Sequence, residues 1–356
     1  MSMTNDVDET NGADETNETN ETSKPGTTVA VTSLERELTP GTMVARFREL
    51  EVHLVTAREA PATMQEIGRI REREFSAVGA GRGGELDLDR FDTRWPWYSQ
   101  LVSWDPQEKQ IVAMYRAIHC GWALEQGGRE ALRTAGLFSF SEEFEEDYLR
   151  FSVELGRSVV NQQARRALAG LFSVWTGLGA MTREWPKVRY FFGNVSLYRS
   201  LPRSAVARIL EYLFRWHRAE SGLVEAHRRT DDPSLEAIIA GTGGGAVTAV
   251  TPDGGAAGDD DAHNALTHLQ DDASREGWAV PPILLSYLKA HPGLLAFDVA
   301  EDDDFGGALE VAIAVPTRGV NPRTVKRFIE PYRSVNPERF RLECDKPQGI
   351  EPGGRT

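Results

Sequence analysis

The order of apolar segments between residues 149 and 217 constrains the fold more than any other feature of this sequence. LRFSVELGRSVV, which starts at Leu149, alternates as a strand does, and a long helical pattern follows from Gln162 to Thr182. VRYFFGNVSL is then a short apolar strand, and LPRSAVARILEYLFRWH is a helix with Pro202 in its first turn. The segment is therefore predicted to form a β-α-β-α unit.

The flanking segments add antiparallel strands and further helices. LEVHLVTA (Leu50 to Ala57) alternates like a strand, Pro61 opens a helix, and WYSQLVSWDPQEKQIVAMYRAI reads as a β-hairpin with its turn at Asp105 to Lys109. Near the C-terminus, VPPILLSYLKAHPG is a short helix, and LLAFDVA and LEVAIAV form a strand pair that closes the sheet. The fold class is therefore α+β, with a mixed central sheet flanked by helices.

Composition divides the chain of 356 residues into one folded domain and three loose segments. Residues 1–38 are predicted to be a disordered acidic tail, residues 39–343 a single domain, and residues 344–356 a flexible C-terminus. Within the domain, residues 231–277 lose periodicity and fill with Gly, Ala and Asp, which predicts a disordered insertion.

The net charge of −14 hides an uneven distribution of charge. Residues 1–23 hold seven acidic side chains and no basic one, and residues 253–277 hold seven acidic side chains and one Arg. The stretch from Leu155 to Arg229 has thirteen Lys or Arg against four Glu. The overall acidity argues against nucleic acid as a partner, whereas the basic stretch indicates either a docking face for an acidic macromolecule or solvated helix faces.

The sequence lacks the motifs that mark several kinds of functional site. Two cysteines without a C-x-x-C pair support neither a disulfide scaffold nor a zinc site, and no metal site is predicted. Nucleotide-binding, zinc-protease and serine-hydrolase motifs do not occur, and TGGGA at Thr242 to Ala246 lacks the Lys of a phosphate loop. The N-terminus has no secretion signal, and the apolar run from Ala167 to Thr182 is shorter than the ~20 residues of a membrane span. These absences predict a cytoplasmic protein.

Charged residues inside apolar strands are the candidate functional groups. Glu154 and Arg157 interrupt FSVELGRSVV, Arg116 interrupts VAMYRAI, and Asp89 and Asp92 lie three residues apart in LDLDRFD. A buried ion must be paired or its pKa must shift, so each group belongs either to a site or to a structural salt bridge that joins Arg116 or Arg157 to one of the acids.

These charged residues carry a resemblance to a known family. The sequence resembles the GNAT-like N-acyltransferases that use acyl carrier protein, which include the haemolysin-like ornithine lipid and glycine lipid synthases and, more distantly, the N-acylhomoserine lactone synthases. RYFFGNVSL and PPILLSYLKAHPGLLAFDVAEDDDFG also resemble segments of the lipid synthases. In order along the chain, the shared elements are Arg71-x-x-x-Phe75, Asp89-x-x-Asp92, Arg116 at a strand end and Glu154-Leu155-Gly156-Arg157.

The resemblance implies a GNAT-like fold and a reaction in aminolipid biosynthesis, in which the α-amino group of an amino acid attacks a (3-hydroxy) fatty acyl thioester. Glu154 would take the amine proton, directly or through water, while Arg157 or Arg116 keeps it ionised. Splayed strands in the GNAT fold expose backbone N–H groups to the acyl-pantetheine arm. The residues implied for that arm are Arg157, Ser158, Val159 and Val160, and those implied for substrate binding are Arg71, Phe75, Asp89 and Asp92.

The donor is expected to be acyl carrier protein rather than coenzyme A, and no bound cofactor is expected. The segment RSVVNQQARRALAG lacks the paired glycines with which members that use acetyl-coenzyme A cradle a pyrophosphate. Acyl carrier proteins are acidic, and the arginines expected to contact them are Arg165, Arg166, Arg183, Arg199 and Arg203.

Three alternatives stay open. The acceptor is glycine, serine or ornithine; its carboxylate needs an Arg, for which Arg71 and Arg73 are candidates, and an acid from the turn at Glu301 to Asp304 would favour ornithine. The lactone-synthase reading is weaker, because GAGRGGELDLD stands where a tryptophan is expected. A non-catalytic membrane-interacting protein, or peripheral contact with the inner face of the membrane, would use an interfacial helix. Its apolar residues would be Leu171, Phe172, Val174 and Trp175.

Overall fold

The computed structural model describes residues 29–241, 259–332 and 335–341, and shows the mixed α+β architecture that the sequence predicts. The first half contains α1 (Val31–Glu37), β1 (Met43–Phe47), β2 (Leu50–Val55), α2 (Pro61–Ser76), α3 (Arg90–Thr93), β3 (Ser99–Asp105), β4 (Gln110–His119), α4 (Cys120–Gly127), β5 (Phe138–Phe140) and α5 (Glu142–Asp147). The second half contains β6 (Ser152–Val160), α6 (Ala167–Glu184), β7 (Tyr190–Leu197), α7 (Arg203–Trp216), β8 (Val224–Ala226), α8 (Pro233–Ile239), α9 (Asp259–Glu276), α10 (Pro282–Ala290), β9 (Leu295–Asp302), β10 (Ala308–Pro316) and α11 (Pro322–Thr324).

Eight of these strands form one sheet in the order β1-β2-β3-β4-β6-β7-β10-β9, and β5 pairs with β8 in a small second sheet. Neighbouring strands of the large sheet are antiparallel except β6 and β7, which run parallel and are joined by α6. The predicted hairpin is β3 and β4, and the predicted closing pair is β9 and β10 at the sheet edge.

Helices cover both faces of the large sheet. On one face, α6, α7 and α10 bury the largest core cluster, which includes Leu155, Val195 and Ile313. On the other face, α2 packs on the β3–β4 half through Ile67 and Ile70, and a cluster around α4, α5 and β5 covers the β7–β10–β9 half. The site described below is lined by residues from both faces, at the end of α2 on one and on α6 and α10 on the other.

The central strands β6 and β7 separate partway along their length. Their register pairs Ser152 with Tyr190 and ends with Leu155 opposite Gly193. Beyond this point β6 continues beside β4 and β7 beside β10. The backbone of β6 after Leu155 therefore has no β7 partner within the described residues, so the two strands open a gap at their C-terminal ends.

The segments predicted to be disordered are partly helical. Helix α1 lies inside the predicted tail, where Leu34 is buried and the Glu37 carboxylate accepts hydrogen bonds from the backbone N–H groups of Ala62 and Thr63 at the start of α2. Helices α8 and α9 lie inside the predicted insertion and pack on α7. The prediction of disorder rested on the Gly and Asp content of the stretch, although apolar residues also recur along one face of each helix. The residues that α8 and α9 bury are Leu235, Ile239, Leu266, Leu269 and Ala273.

The remaining predictions of disorder fall outside the described residues. They concern residues 1–28, residues 242–258, which include TGGGA, and the C-terminal residues 344–356.

Helix α6 begins five residues later than its apolar pattern predicts, at Ala167. The Asn161 side chain donates to the Ile111 carbonyl and accepts from the backbone N–H of Gln163, so a turn stabilised by this side chain precedes the helix. No described helix is both long enough and apolar enough to cross a membrane.

The apolar residues proposed for an interfacial helix face the interior instead. The ring of Phe172 stacks on that of Phe328 at 5.9 Å, Trp175 contacts Tyr287 at 5.7 Å, and Val174 is buried. Core packing therefore accounts for these side chains.

Candidate active site

A cavity of about 460 Å³ occupies the gap between β6 and β7. It reaches from the end of α2 across both strands to β10. Seven of the residues predicted for the site line it, namely Phe75, Arg116, Glu154, Arg157, Ser158, Val159 and Val160. Arg71, Asp89 and Asp92 do not line the cavity. They lie behind its wall, where Asp89 and Asp92 contact Arg116.

A β-bulge shapes the backbone of β6 at the cavity. Gly156 lies opposite Arg116, and Val159 lies opposite Met114, so two residues of β6 face one of β4. Arg157, the first of the two, has a φ of 54°, a left-handed conformation that is uncommon for a residue other than glycine. Strained backbone of this kind occurs where the surrounding structure fixes it, often at functional sites.

Glu154 is a buried carboxylate with several neutral donors. Its Oε1 accepts from the Tyr98 hydroxyl at 2.7 Å and from the Arg133 backbone N–H at 3.1 Å. Its Oε2 accepts from the Thr134 hydroxyl at 2.7 Å and, more weakly, from the Thr134 N–H at 3.4 Å. Burial raises the pKa of Glu154, and the hydrogen bonds from Thr134 and Tyr98 oppose that rise. A carboxylate with a raised pKa suits proton transfer near neutral pH.

Arg116 is held by the two carboxylates of LDLDRFD rather than by Glu154. Its Nη1 lies 2.8 Å from both oxygens of Asp89 and 3.2 Å from Asp92 Oδ2. Burial works against the charged form, but Asp92 and Asp89 raise the pKa of Arg116 above its ordinary value. Its charge still lowers the pKa of Glu154, although this effect is smaller than that of burial. Arg116 therefore has the expected electrostatic effect on Glu154, and the two residues form no ion pair.

The three-residue spacing of Asp89 and Asp92 is that of a helix cap. The Asp89 carboxylate accepts from the N–H groups of Phe91 and Asp92, while Asp92 Oδ2 accepts from the Asp89 N–H, which forms a capping box at the start of α3. Arg71, fully buried, donates to Asp92 at 3.1 Å and to Gln100 at 2.6 Å. The expected substrate contact of Arg71, Asp89 and Asp92 is therefore replaced by a salt-bridge network that positions Arg116.

Arg157 is paired with an acid that the sequence pattern did not single out. Its Nε lies 3.0 Å from Asp87 Oδ2, and its guanidinium carbon lies 4.4 Å from the centre of the Phe305 ring and 5.4 Å from that of Phe75. The expected pairing of Arg157 with Glu154 is wrong. Burial lowers the pKa of Arg157, and Asp87 opposes that effect.

Arg73, the other candidate for the acceptor carboxylate, also has partners. Its guanidinium donates to Glu74 and, at 2.6 Å, to Asn161 Oδ1. The guanidinium groups that line the cavity are those of Arg116, Arg157 and Arg133, and Arg133 donates to Asp302 at 2.6 Å. Asp302 belongs to the turn from which an acid near the pocket was expected.

A second buried carboxylate, Glu310 on β10, lies in the same cavity. Only 1% of Glu310 is exposed, and its oxygens accept hydrogen bonds from the Ser196 hydroxyl at 2.7 Å and from the Asn194 side-chain amide. Burial raises the pKa of Glu310 against the effect of these two donors. Burial and the nearby charge of Glu310 raise the pKa of Tyr198, which also lines the cavity, to about 12.

The arginines predicted to dock a carrier protein separate into two groups. Arg165 and Arg166 follow β6, and Arg199 and Arg203 follow β7, so the parallel strands bring all four to the edge at which the cavity opens. Arg183 lies at the opposite end of α6, whose 18 residues span about 27 Å. It therefore does not belong to this group.

A larger cleft of about 580 Å³ lies at the C-terminal end of β4. Four tryptophans line it, together with His119, Glu59 and several arginines. Hydrogen bonds from Arg339, acting against burial, lower the pKa of Glu59, so this carboxylate is poorly suited to accept a proton near neutral pH. We therefore assign the chemistry to the cavity between β6 and β7. The four tryptophans are Trp95, Trp97, Trp122 and Trp185.

Sequence reasoning missed functional candidates of two kinds. Glu310 interrupts the apolar run LEVAIAV as Glu154 interrupts FSVELGRSVV, so the same rule applied to the last strand would have identified it. Asp87 lies within LDLDRFD beside the two acids that were identified. Tyr98, Arg133 and Thr134 had no signal, because only the folded chain brings them to Glu154. Within the described residues no group of His, Cys, Asp and Glu side chains is arranged to hold a metal ion.

Comparisons with known proteins agree with this geometry. Residues 70–175 match the acetyltransferase (GNAT) domain model. A glycine N(alpha)-acyltransferase of Phocaeicola vulgatus is 30% identical over 303 residues, 82% of this chain and 87% of that protein. A glycine N(alpha)-acyltransferase of Bacteroides thetaiotaomicron is 29% identical over 306 residues, 83% of this chain and 86% of that protein. No solved structure matches significantly. The chain therefore belongs to the glycine N(alpha)-acyltransferase family and is an N-acyltransferase with a GNAT domain.

Proposed function

We propose that this protein transfers a (3-hydroxy) fatty acyl chain from the phosphopantetheine thioester of acyl carrier protein to the α-amino group of glycine, as a step in aminolipid biosynthesis. The observation that carries this proposal is the gap after Leu155 and Gly193. There, unpaired β6 backbone and a buried carboxylate, Glu154, line one cavity. The names of the two relatives support glycine as the acceptor.

The β6 backbone past Leu155 suits the donor thioester. Its N–H groups on the β7 side have no strand partner within the described residues, so they are free to bind the pantetheine amides and the thioester carbonyl. Backbone N–H groups aimed at that carbonyl stabilise the oxyanion as the amine attacks. Ser158, Val159 and Val160 continue this wall and are the residues we propose for the pantetheine arm.

The reaction forms a C–N bond and breaks the C–S bond of the thioester. Glu154 takes a proton from the attacking nitrogen, directly or through water, and the departing thiolate is protonated to a thiol. Arg116, which the carboxylates of Asp89 and Asp92 hold rigidly, contributes positive charge beside the cavity. Arg157 closes the same wall between Phe75 and Phe305.

A carrier protein fits the surroundings of the cavity better than coenzyme A. The segment after β6 lacks paired glycines for a pyrophosphate. Arg165, Arg199 and Arg203 expose most of their side chains at the C-terminal ends of β6 and β7, where they also pair with Glu108, Glu301 and Asp232 respectively. We propose that an acidic carrier protein contacts these exposed guanidinium groups.

Mass spectrometry of the purified protein tests this function. The protein is incubated with 3-hydroxypalmitoyl acyl carrier protein or the matching coenzyme A ester, each with an equimolar set of amino acids. We expect N-acylglycine from the carrier reaction. Product from the coenzyme A ester alone would overturn the donor assignment, and another acylated amino acid would overturn the acceptor. If neither donor reacts and the protein binds anionic liposomes, the membrane-interaction alternative replaces the enzyme reading.

A further inference from the structure

Glu310 is a buried carboxylate in the cavity that forms no ion pair among the described residues; Arg133 and Asp302, which pair with each other, act on it with opposite charges from a distance. Its hydrogen-bond donors, Asn194 and Ser196, are both neutral. Two other acids that line the cavity differ, since Glu74 pairs with Arg73 and Asp302 pairs with Arg133, whereas Glu154, like Glu310, forms no ion pair. Burying a carboxylate without a countercharge is costly, so the place beside Glu310 suits a cation from outside the protein.

The strand register places Glu310 beside the β6–β7 gap, in which we propose that the acceptor binds. Asn194 is the first residue of β7 beyond the last β6–β7 pair, and Ser196 lies directly opposite Glu310. Side chains alternate along a strand, and paired residues share a face, so Glu154, Asn194, Ser196 and Glu310 all lie on the α2 side of the sheet. Glu310 is thus tied to the opening of the gap by its own hydrogen bonds.

The two buried acids of the cavity differ in the number of hydrogen bonds that their carboxylate oxygens accept. Glu154 accepts four hydrogen bonds and Glu310 accepts two. A carboxylate offers about four acceptor positions, so Glu310 retains capacity for further donors whereas Glu154 has little. An ammonium group has three N–H donors and a positive charge, and it satisfies both needs of Glu310.

We propose that Glu310 binds the ammonium group of the acceptor amino acid and takes the first of the two protons that this nitrogen loses. The assignment rests on the proposed acyl transfer. The first proton passes to Glu310 and then to solvent, which leaves a neutral amine. The amine attacks the thioester carbon, the second proton passes to Glu154 after the C–N bond forms, and Glu154 returns it to the sulfur as the C–S bond breaks, so that a thiol leaves. Both protons and the leaving group are thereby accounted for.

A comparison of Glu310→Gln with the wild type in steady-state kinetics tests this role. Asn194 and Ser196 donate to different oxygens of Glu310, so glutamine keeps the acceptor of one of them and places an NH2 group beside the other, carries no charge and accepts no proton. We expect the KM for glycine to rise roughly 10- to 100-fold, the scale of a lost hydrogen bond between charged groups. The KM for the acylated carrier stays unchanged. At higher pH more of the acceptor is already a neutral amine, so the defect becomes smaller. Glu310→Asp, which keeps the charge, recovers part of the loss.

Two controls keep the test decisive. Glu225→Gln, at an exposed position of β8, is expected to leave both KM values unchanged. Thermal unfolding of Glu310→Gln is expected to match or exceed that of the wild type, because a buried charge without a counterion is removed. Unchanged KM for glycine in a stable Glu310→Gln variant overturns the proposal, as does an equal rise in both KM values at every pH. An inactive wild type, in contrast, overturns the proposed function itself.

Discussion

The hydroxyl group of Tyr98 donates a 2.7 Å hydrogen bond to Oε1 of Glu154, and both side chains are buried. Glu154 lies on β6, and Tyr98 lies 56 positions earlier in the chain, in the segment that leads into β3. Burial raises the pKa of Glu154, and hydrogen bonds from Thr134 and Tyr98 oppose that rise by favouring the charged carboxylate. Tyr98, together with Thr134, therefore shifts the pH range in which Glu154 can accept a proton.

Tyr98→Phe should move the acidic limb of the activity profile to higher pH. Burial raises the pKa of Glu154, and the hydrogen bond from Tyr98 opposes the rise, so its loss raises that pKa further. A hydrogen bond to a charged group corresponds to a shift of roughly one to two pH units. The profile of kcat/KM against pH measures the shift. Tyr190→Phe, at the start of β7 and outside the cavity, should leave the profile in place; a similar shift there would contradict this account.

Glu154→Gln should reduce kcat by about 10²- to 10⁴-fold, the usual contribution of a general base. The amide keeps the shape of the side chain, so donor binding should persist. Rapid-quench measurement of product in a single turnover separates the chemical step from binding. If the variant retains wild-type kcat, Glu154 has no role in proton transfer.

Asp92→Asn should destabilise the protein by about 3–5 kcal/mol, because it leaves Arg71 and Arg116 buried beside a neutral group. Despite burial, Arg71 and Arg116 lower the pKa of Asp92 below its ordinary value. Its contribution to stability is therefore complete above pH ~4 and is lost as the pH falls toward the lower folded-state value. Urea unfolding at several pH values measures both effects.

The control for Asp92 is Asp303→Asn, which removes an exposed ion pair with Arg228. Exposed pairs contribute about 0–1 kcal/mol, so this variant should remain close to the wild type. Equal destabilisation by the two substitutions would show that the buried network is not the stabilising element.

Gly193→Ala should damage the gap itself. A Cβ atom at Gly193 would lie 2.3 Å from the carbonyl oxygen of Leu155, the last residue of β6 that pairs with β7, so the strands must move apart. Overpacking of this kind costs about 1–3 kcal/mol, and activity should fall with it. At Gly84 the nearest atom is 4.0 Å from the added Cβ, so Gly84→Ala is the matched control. Wild-type activity in Gly193→Ala would contradict the assigned position of the thioester.

Charge reversal at the cavity edge should weaken use of the carrier protein. Arg165→Glu combined with Arg199→Glu is expected to raise the KM for acylated carrier roughly tenfold at low salt, with the difference shrinking as salt screens the charges. Arg183→Glu, at the far end of α6, should change this KM little. Equal effects of the two variants would show that the docking surface extends over the whole basic stretch.

Local apolar patterns predicted the longer strands but not β1, β5 or β8, and the position of the gap was implied by the family resemblance. FSVELGRSVV and RYFFGNVSL became β6 and β7, and the charges that interrupt the first of them line the cavity. The salt-bridge alternative is confirmed for Arg116, which pairs with Asp89 and Asp92, whereas the partner of Arg157, Asp87, was not identified because only tertiary contacts bring the two together. Helix α9 was missed for a related reason, because its buried leucines gain their stability from packing on α7.

The most direct test of the account is a crystal structure of the protein with an acyl-pantetheine in which an amide replaces the thioester. We predict that the amide carbonyl lies beside the β6 backbone between Leu155 and Ser158, with Glu154 and Glu310 on the same side of the sheet. A ligand found in the cleft lined by Trp95 and Trp122, with the β6–β7 gap empty, would contradict the central claim that this gap holds the reacting thioester.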